Sequence, residues 1–243
     1  MKPLVVLHQR SSQLLSPLLT ATVGHKLPLH AYAAEVGSGL VAALAGLVPL
    51  GFAGAVLEDP QLRLDALKLV GALEPEAREA GRVDLVVPEG TRLRGYFLEG
   101  VALANLLHRY AFGDRVLWLG PLRPELSGGL RSVARVALVA PSFPEGDAFM
   151  ARIPSPQRGD VVVGLERAEP LARHSDLILY TGGALPLELL QPYHTLLALQ
   201  PVPKEPYRLV GQYIGPEELQ RFHLSVILEA LGFALPPDAF AVS

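Results

Sequence analysis

The chain has 243 residues, half of them hydrophobic, and a formal net charge of −3, so it can bury one large core or two modest ones. It has no dense cluster of Lys and Arg that would bind a phosphate backbone, which argues against a nucleic-acid partner. The absence of cysteine excludes disulfides, thiolate nucleophiles and cysteine-ligated zinc or iron–sulfur sites.

The chain begins without a secretory signal, so a cytoplasmic location is expected. One uncharged stretch, residues 37–57, is long enough to raise the question of a membrane span, but Pro49 and Gly51 interrupt it. We therefore expect a buried helix and a short strand there, and no membrane partner. The single Asn105 and two methionines are typical of heat-adapted proteins, although a compositional bias of the genome would look the same.

The first hundred residues alternate between apolar runs and amphipathic segments. Strands are predicted at residues 4–7, 29–36 and 54–57, with a helix at 40–48. Ser16-Pro17 predicts a helix start in which the serine hydroxyl caps free N–H groups. This β-α-β-α-β order favours a parallel sheet covered on both faces.

A second alternating series follows a turn predicted at Gly113-Asp114, where we place the domain boundary. The last helix, residues 216–231, begins with two glutamates that suit a positive helix N-terminus, and it ends at Gly232. Six strands are predicted between them, at residues 116–120, 135–140, 160–163, 176–180, 195–199 and 207–210.

Residues 74–100, EPEAREAGRVDLVVPEGTRLRGYFLEG, resemble the P-E-A-x-x-x-G-A-V-N-T-V and G-R-L-x-G-x-N-T-D elements of the shikimate dehydrogenase family. By that resemblance Glu99 takes the position of the catalytic aspartate, and Asp84 takes that of the asparagine in V-N-T. Residues 8–17, HQRSSQLLSP, have the length of the family's G-x-P-[IV]-x-H-S-x-S-P segment and retain its last two residues.

The resemblance implies an α/β fold with two domains. Residues 1–110 and 212–243 would form the α/β substrate-binding domain, and residues 113–211 would form a Rossmann-like, doubly wound NADP-binding domain. The C-terminal helix would return to pack on the first domain. A small molecule would bind in the cleft between the domains.

The substrate side departs from the family pattern. Ser16 matches the second of two serines that hold the substrate carboxylate, whereas Leu14 replaces the first. The family's N-x-T-x-P-x-K, aligned on Pro60, places Leu62 where the catalytic lysine belongs, and a one-residue uncertainty leaves Gln61 or Arg63 open. None of the three could shuttle a proton as lysine does.

Three acids are predicted to face the same pocket: Glu58, Asp84 and Glu99. Such a pocket would repel a carboxylate and favour a cation, an amine or a metal. The alternative is that these acids lie in solvent at strand ends. The family's substrate-binding glutamine falls on Phe222, which leaves the neighbouring Gln220 as a candidate contact.

The cofactor side departs further. Of the family's G-A-G-G-A turn only Gly120 remains, and the following sequence, Pro121-Leu122-Arg123-Pro124, removes backbone donors and adds bulk. Thr181 ends a strand that matches the family's L-[IL]-[IV]-N-A-T by shape. The resemblance thus implies NADP, while the residues make its binding doubtful.

Three hypotheses follow. The leading one is a divergent shikimate dehydrogenase-like protein, a pseudoenzyme with impaired or lost oxidoreduction, that binds an unknown small ligand. The second is an active dehydrogenase of altered specificity that uses Glu99 and water for proton transfer. The third is an interaction protein that uses its apolar elements to form a homodimer or larger assembly.

Overall fold

The computed structural model describes residues 1–110 and 115–242, and the chain divides into two compact units. The first unit contains Met1–Ala102 and Gln220–Ser243, and the second contains Leu103–Leu219. The predicted turn at Gly113-Asp114 lies outside the described residues. Within the described ranges, no helix is long and apolar enough to cross a membrane.

The first unit is built on a six-stranded mixed sheet with the strand order β2-β1-β3-β5-β6-β4. Its strands are β1 (Lys2–His8), β2 (Leu29–Glu35), β3 (Gly54–Leu57), β4 (Ala72–Leu73), β5 (Leu85–Glu89) and β6 (Arg92–Tyr96). Its helices are α1 (Leu15–Gly24), α2 (Leu40–Gly46), α3 (Pro60–Ala66) and α4 (Pro75–Ala80), together with the start of α5 (Glu99–Arg109) and most of α8 (Pro216–Ala230).

The parallel pairing predicted for the first three strands is confirmed, because β1 pairs in parallel with both β2 and β3. The remainder of the sheet is mixed, since β5 pairs antiparallel to β3 and to β6. A two-residue hairpin joins β5 to β6, with Glu89 opposite Arg92 and Gly90 at φ +59°. A hairpin of this length can only join antiparallel strands.

Helix α8 supplies part of the first unit's hydrophobic core. Its residues Leu224, Ile227 and Leu228 are fully buried in one cluster with Leu4 and Val6 of β1. The helix ends at Ala230, and Gly232 just beyond it has a φ of +89°, in the region that glycine adopts without strain. The predicted packing of the last helix on the first domain is therefore confirmed.

The second unit is a parallel sheet with the strand order β12-β11-β10-β7-β8-β9. This order, which runs outward in both directions from β7 and β10, confirms the predicted doubly wound Rossmann-like fold. Its strands are β7 (Arg115–Leu119), β8 (Arg135–Ala140), β9 (Arg158–Val163), β10 (Leu177–Tyr180), β11 (Thr195–Ala198) and β12 (Gln212–Ile214). Its helices include α6 (Phe143–Met150) and α7 (Glu169–Arg173).

The prediction of a strand at residues 207–210 is wrong. The chain forms a 3₁₀ helix at Glu205–Arg208, and the sixth strand of the sheet is β12, a few residues later. Pro206 has no N–H to donate to a strand ladder. Tyr207 instead stacks on Tyr213 of β12, with ring centroids 3.9 Å apart.

Helix α1 begins as predicted near Pro17, but Ser16 is not its cap. Ser16 is exposed within the first turn, and the hydroxyl that receives a backbone N–H belongs to Ser12, 3.1 Å from the nitrogen of Leu15. The acceptor therefore lies one helical turn earlier than the sequence pattern indicated.

Replacing Ser12 by alanine should destabilise the chain by about 1 kcal/mol, the usual cost of losing a hydroxyl that satisfies a helix N-terminus. Replacing Ser16 by alanine is the matched control and should change stability by no more than about 0.5 kcal/mol. Urea denaturation of both variants compares the two serines. Equal losses would contradict the assignment of the Ser12 hydroxyl as the acceptor at the start of the helix.

Candidate functional site

Two acids that follow β3 hold the loop that follows β1. Because β1 and β3 are parallel neighbours, the residues after them meet at the carboxyl edge of the sheet. The Asp59 carboxylate accepts the Gln9 N–H at 2.7 Å, and Glu58 Oε1 accepts the Gln13 N–H at 2.6 Å. Glu58 Oε2 is enclosed without a hydrogen-bond partner. The predicted ligand contact Glu58 thus holds backbone of its own chain.

Glu99 forms an ion pair with Arg63. Arg63 Nη1 lies 2.6 Å from Glu99 Oε2, and Arg63 Nε donates to the Leu57 carbonyl at 2.9 Å. The two side chains are only 12% and 11% exposed. Leu62 is buried in the core, and Gln61 is an exposed residue that donates to Asp65. Of the three candidates for the lysine position, Arg63 is therefore the residue that meets Glu99.

Asp84 is fully buried, and three donor groups surround its carboxylate. It accepts the N–H groups of Leu98, at 2.8 and 2.9 Å to the two oxygens, and of Glu99, at 2.8 Å. The third donor is His223 Nε2 of α8, at 2.9 Å. A carboxylate at the first turn of α5 also complements the positive end of the helix dipole.

The three predicted acids each have a different partner within the protein. Glu58 binds the loop after β1, Glu99 binds Arg63, and Asp84 binds α5 and α8. Among the described residues, no group of three or more His, Asp or Glu side chains could hold a metal ion. The alternative that the acids lie in solvent is wrong for Asp84 and Glu99, which are 0% and 9% exposed.

The other two predicted substrate contacts lie close to the same loop. Ser16 is exposed on α1. Gln220 is partly buried on α8, and its side-chain amide lies 3.5 Å from the Gln13 carbonyl oxygen. Gln13 therefore lies between a carboxylate of the segment after β3 and an amide of α8.

In the second unit, the turn after β7 is packed against the end of β10. Gly120 has φ +104°, and a Cβ placed on it would lie 2.3 Å from the Gly182 carbonyl oxygen. The Thr181 hydroxyl lies 2.8 Å from the Pro121 carbonyl oxygen and 3.1 Å from that of Leu119. Gly120 and Thr181 were both predicted to contact the cofactor. Each instead contacts the segment that contains the other.

No α-helix begins at this turn; the segment after it is a 3₁₀ helix, Pro124–Ser132. After β8 an α-helix does begin, but its N-terminus is already occupied. The Ser142 hydroxyl accepts the Glu145 N–H at 3.4 Å and donates to the Glu145 carboxylate at 2.8 Å. The Glu145 carboxylate thus places a negative charge at the start of this helix.

No protein-family model and no curated protein matches the sequence. Solved structures match it over nearly its whole length. The shikimate dehydrogenase of Mycobacterium tuberculosis has a TM-score of 0.79 at 17% identity, covering 98% of each chain. That of Thermus thermophilus, in complex with NADP(H) and shikimate, has a TM-score of 0.78 at 19% identity, covering 98% of this chain and 97% of that one.

The chain has the shikimate dehydrogenase fold. The resemblance in residues 74–100 is thereby confirmed at the level of the fold. A third match is the 5-ketofructose reductase of a Gluconobacter strain, with a TM-score of 0.78 at 14% identity over 98% of this chain and 95% of that one. The fold therefore occurs with more than one activity.

The residues of this chain do not fit a dinucleotide at the place that is usual in Rossmann-like folds. That mode needs a glycine-rich turn open to the pyrophosphate and a helix N-terminus behind it. Here Pro121 and Pro124 lack N–H donors, and the segment after the turn is a 3₁₀ helix, Pro124–Ser132, rather than an α-helix. Glu145 further disfavours a phosphate at the start of α6.

Proposed function

We propose that this chain is a small-molecule-binding protein of shikimate dehydrogenase fold in which NADP-dependent oxidoreduction is impaired or lost. The ligand binds at the carboxyl edge of the first unit's sheet, where the loop after β1 and the Arg63–Glu99 pair lie. The observation that carries the proposal is the turn after β7, in which Pro121 and Pro124 lack N–H donors and which no α-helix follows to bind a pyrophosphate.

The Arg63–Glu99 pair also supports a loss of proton transfer. A guanidinium stays protonated in proteins, so Arg63 cannot give up a proton to a reacting group and take it back. The Glu99 carboxylate is engaged by that guanidinium at 2.6 Å. The pair is suited to holding α3 and α5 in place rather than to general acid–base chemistry.

The charge of the edge favours a ligand that is not an anion. Glu58 and Asp59 are neighbours there, and neither makes an ion pair with a basic side chain in the described part of the chain. The positive charge of Arg63 is matched by Glu99. A ligand carboxylate at this edge would be repelled by the two carboxylates. It could not accept the Gln13 N–H either, because that group already donates to Glu58.

The structural neighbours support the fold and leave the ligand open, because activity depends on the site rather than on the fold. One of them is described in complex with NADP(H) and shikimate, and another is a 5-ketofructose reductase. A neutral or cationic polyol is compatible with the size of the ligands that these names imply and with the charge of the edge.

Shikimate and its methyl ester form a matched pair of probes that differ only in charge. We expect the ester to raise the melting temperature more than shikimate does, because ligand binding to the folded state stabilises it. NADP should cause no shift, and no absorbance change should accompany either probe mixed with NADP. Replacing Glu58 by glutamine should reduce the preference for the ester, since it removes one negative charge.

The same experiment separates the alternatives. Reduction of NADP with either probe would contradict the loss of oxidoreduction and favour an active dehydrogenase. A stronger shift with shikimate than with its ester would contradict the charge argument. A shikimate dehydrogenase known to use NADP, treated in parallel, shows that the probes and the cofactor are competent.

A further inference from the structure

A cavity of about 330 Å³ lies at the amino edge of the second unit's sheet, at the opposite ends of the strands from Gly120 and Thr181. Three apolar residues, Val116, Ala137 and Leu171, form part of its lining. Its polar lining consists of Arg115, Arg135, Asp160, His174 and Ser175. A volume of this size is within the range of small-molecule sites.

Two arginines lie side by side in this lining. Arg115 and Arg135 are direct register partners on the parallel strands β7 and β8, so their backbones are about 5 Å apart. Like charges placed directly opposite on neighbouring strands repel each other and destabilise the pair. An arrangement of this kind is favourable when an anion lies between the two guanidinium groups.

The protein itself neutralises little of this charge. The one acid of the lining, Asp160, lies 3.8 Å from Arg135, beyond hydrogen-bond distance, and both side chains are more than half exposed. Arg115 makes no ion pair within the described residues. At His174 the Nδ1 atom lies 2.7 Å from the Pro170 carbonyl oxygen, so Nδ1 carries a proton and Nε2 remains for another partner.

We propose that this cavity binds a small molecule through a phosphate group. Guanidinium groups bind phosphate oxygens through pairs of charge-assisted hydrogen bonds, and a phosphomonoester carries nearly two negative charges at neutral pH. The two arginines supply the matching charge, and the apolar lining accommodates the rest of the molecule. The proposal uses no residue of the candidate site in the first unit and does not depend on the function proposed above.

Isothermal titration with glucose 6-phosphate, inorganic phosphate and glucose, at constant ionic strength, tests this proposal. We expect the two phosphates to bind and glucose not to bind. Replacing Arg115 or Arg135 by glutamine should weaken binding of glucose 6-phosphate by about tenfold or more, the usual effect of losing hydrogen bonds to a charged group. Replacing Asp160 by asparagine should strengthen it, because a like charge is removed.

Arg167, an exposed arginine of the same unit outside the cavity, is the matched control. The Arg167→Gln variant has the same change in net charge and should bind glucose 6-phosphate as the unaltered protein does. The proposal is overturned if neither phosphate binds, or if Arg167→Gln weakens binding as much as Arg115→Gln and Arg135→Gln. Circular dichroism confirms that each variant is folded before it is titrated.

Discussion

Replacing Asp84 by alanine should lower the free energy of unfolding by about 3–5 kcal/mol, as expected when one partner of a buried charged network is removed. The change leaves the N–H groups of Leu98 and Glu99 and the His223 ring without their acceptor. Urea denaturation followed by far-ultraviolet circular dichroism measures the loss. Hydrogen exchange localises it, because the amides of Leu98 and Glu99 should lose protection first.

Two further variants separate the lost hydrogen bonds from the lost volume. Asp84→Asn keeps the shape and one acceptor oxygen but turns an NH₂ group toward backbone donors, so its cost should lie between zero and that of alanine. Asp65→Ala is the control, since Asp65 is exposed and its carboxylate accepts from the exposed side chain of Gln61; its effect should stay within about 0.5 kcal/mol. A loss below about 1 kcal/mol for Asp84→Ala would contradict the network described here.

Most of the fold could be predicted because it depends on local patterns. The apolar runs of β1, β3 and β8 are bounded by polar or turn residues, and each forms a strand where the pattern places it. The prediction of a strand at residues 207–210 is wrong because the adjacent Pro206 and the stacking of Tyr207 on Tyr213 favour a 3₁₀ turn. An aromatic contact between separate segments leaves no periodicity in the sequence.

The site was less predictable, because its contacts join distant parts of the chain. Asp84 and His223 are 139 residues apart in sequence, and a lone histidine on a helix gives no sign of its partner. The Glu58 carboxylate could be placed at a strand end, but its contact with the Gln13 N–H depends on how the loop after β1 folds back. A charge at a strand end can equally face solvent, a ligand or the backbone.

The turn after β7, where the family would bind its cofactor, was predictable in part. The loss of donors was visible in the sequence, since Pro121 and Pro124 cannot donate and only Gly120 remains of the glycine-rich turn. That Gly120 would pack against Gly182 could not be predicted, because Gly182 follows a neighbouring strand far along the chain. A contact of this kind depends on tertiary packing, whereas the loss of donors depends on residue identity alone.

Arg63 and Glu99 were both candidates in the sequence, but their pairing depended on a register that the sequence left open. Pro60 begins α3, so Arg63 lies one turn into the helix and reaches across to the first residue of α5. Replacing Arg63 by methionine should destabilise the chain by about 3–5 kcal/mol, because the largely buried Glu99 carboxylate loses the guanidinium with which it is paired. Urea denaturation measures this loss.

A double-mutant cycle shows whether the loss belongs to the pair. If it does, Arg63→Met combined with Glu99→Met should be less destabilising than the sum of the single changes, with a coupling energy of about 2–3 kcal/mol. The exposed pair of Arg173 and Glu169, 67% and 57% exposed, is the control, and Arg173→Met should cost less than about 0.5 kcal/mol. Additive losses at Arg63 and Glu99 would mean that the two side chains contribute separately, Arg63 through its bond to the Leu57 carbonyl.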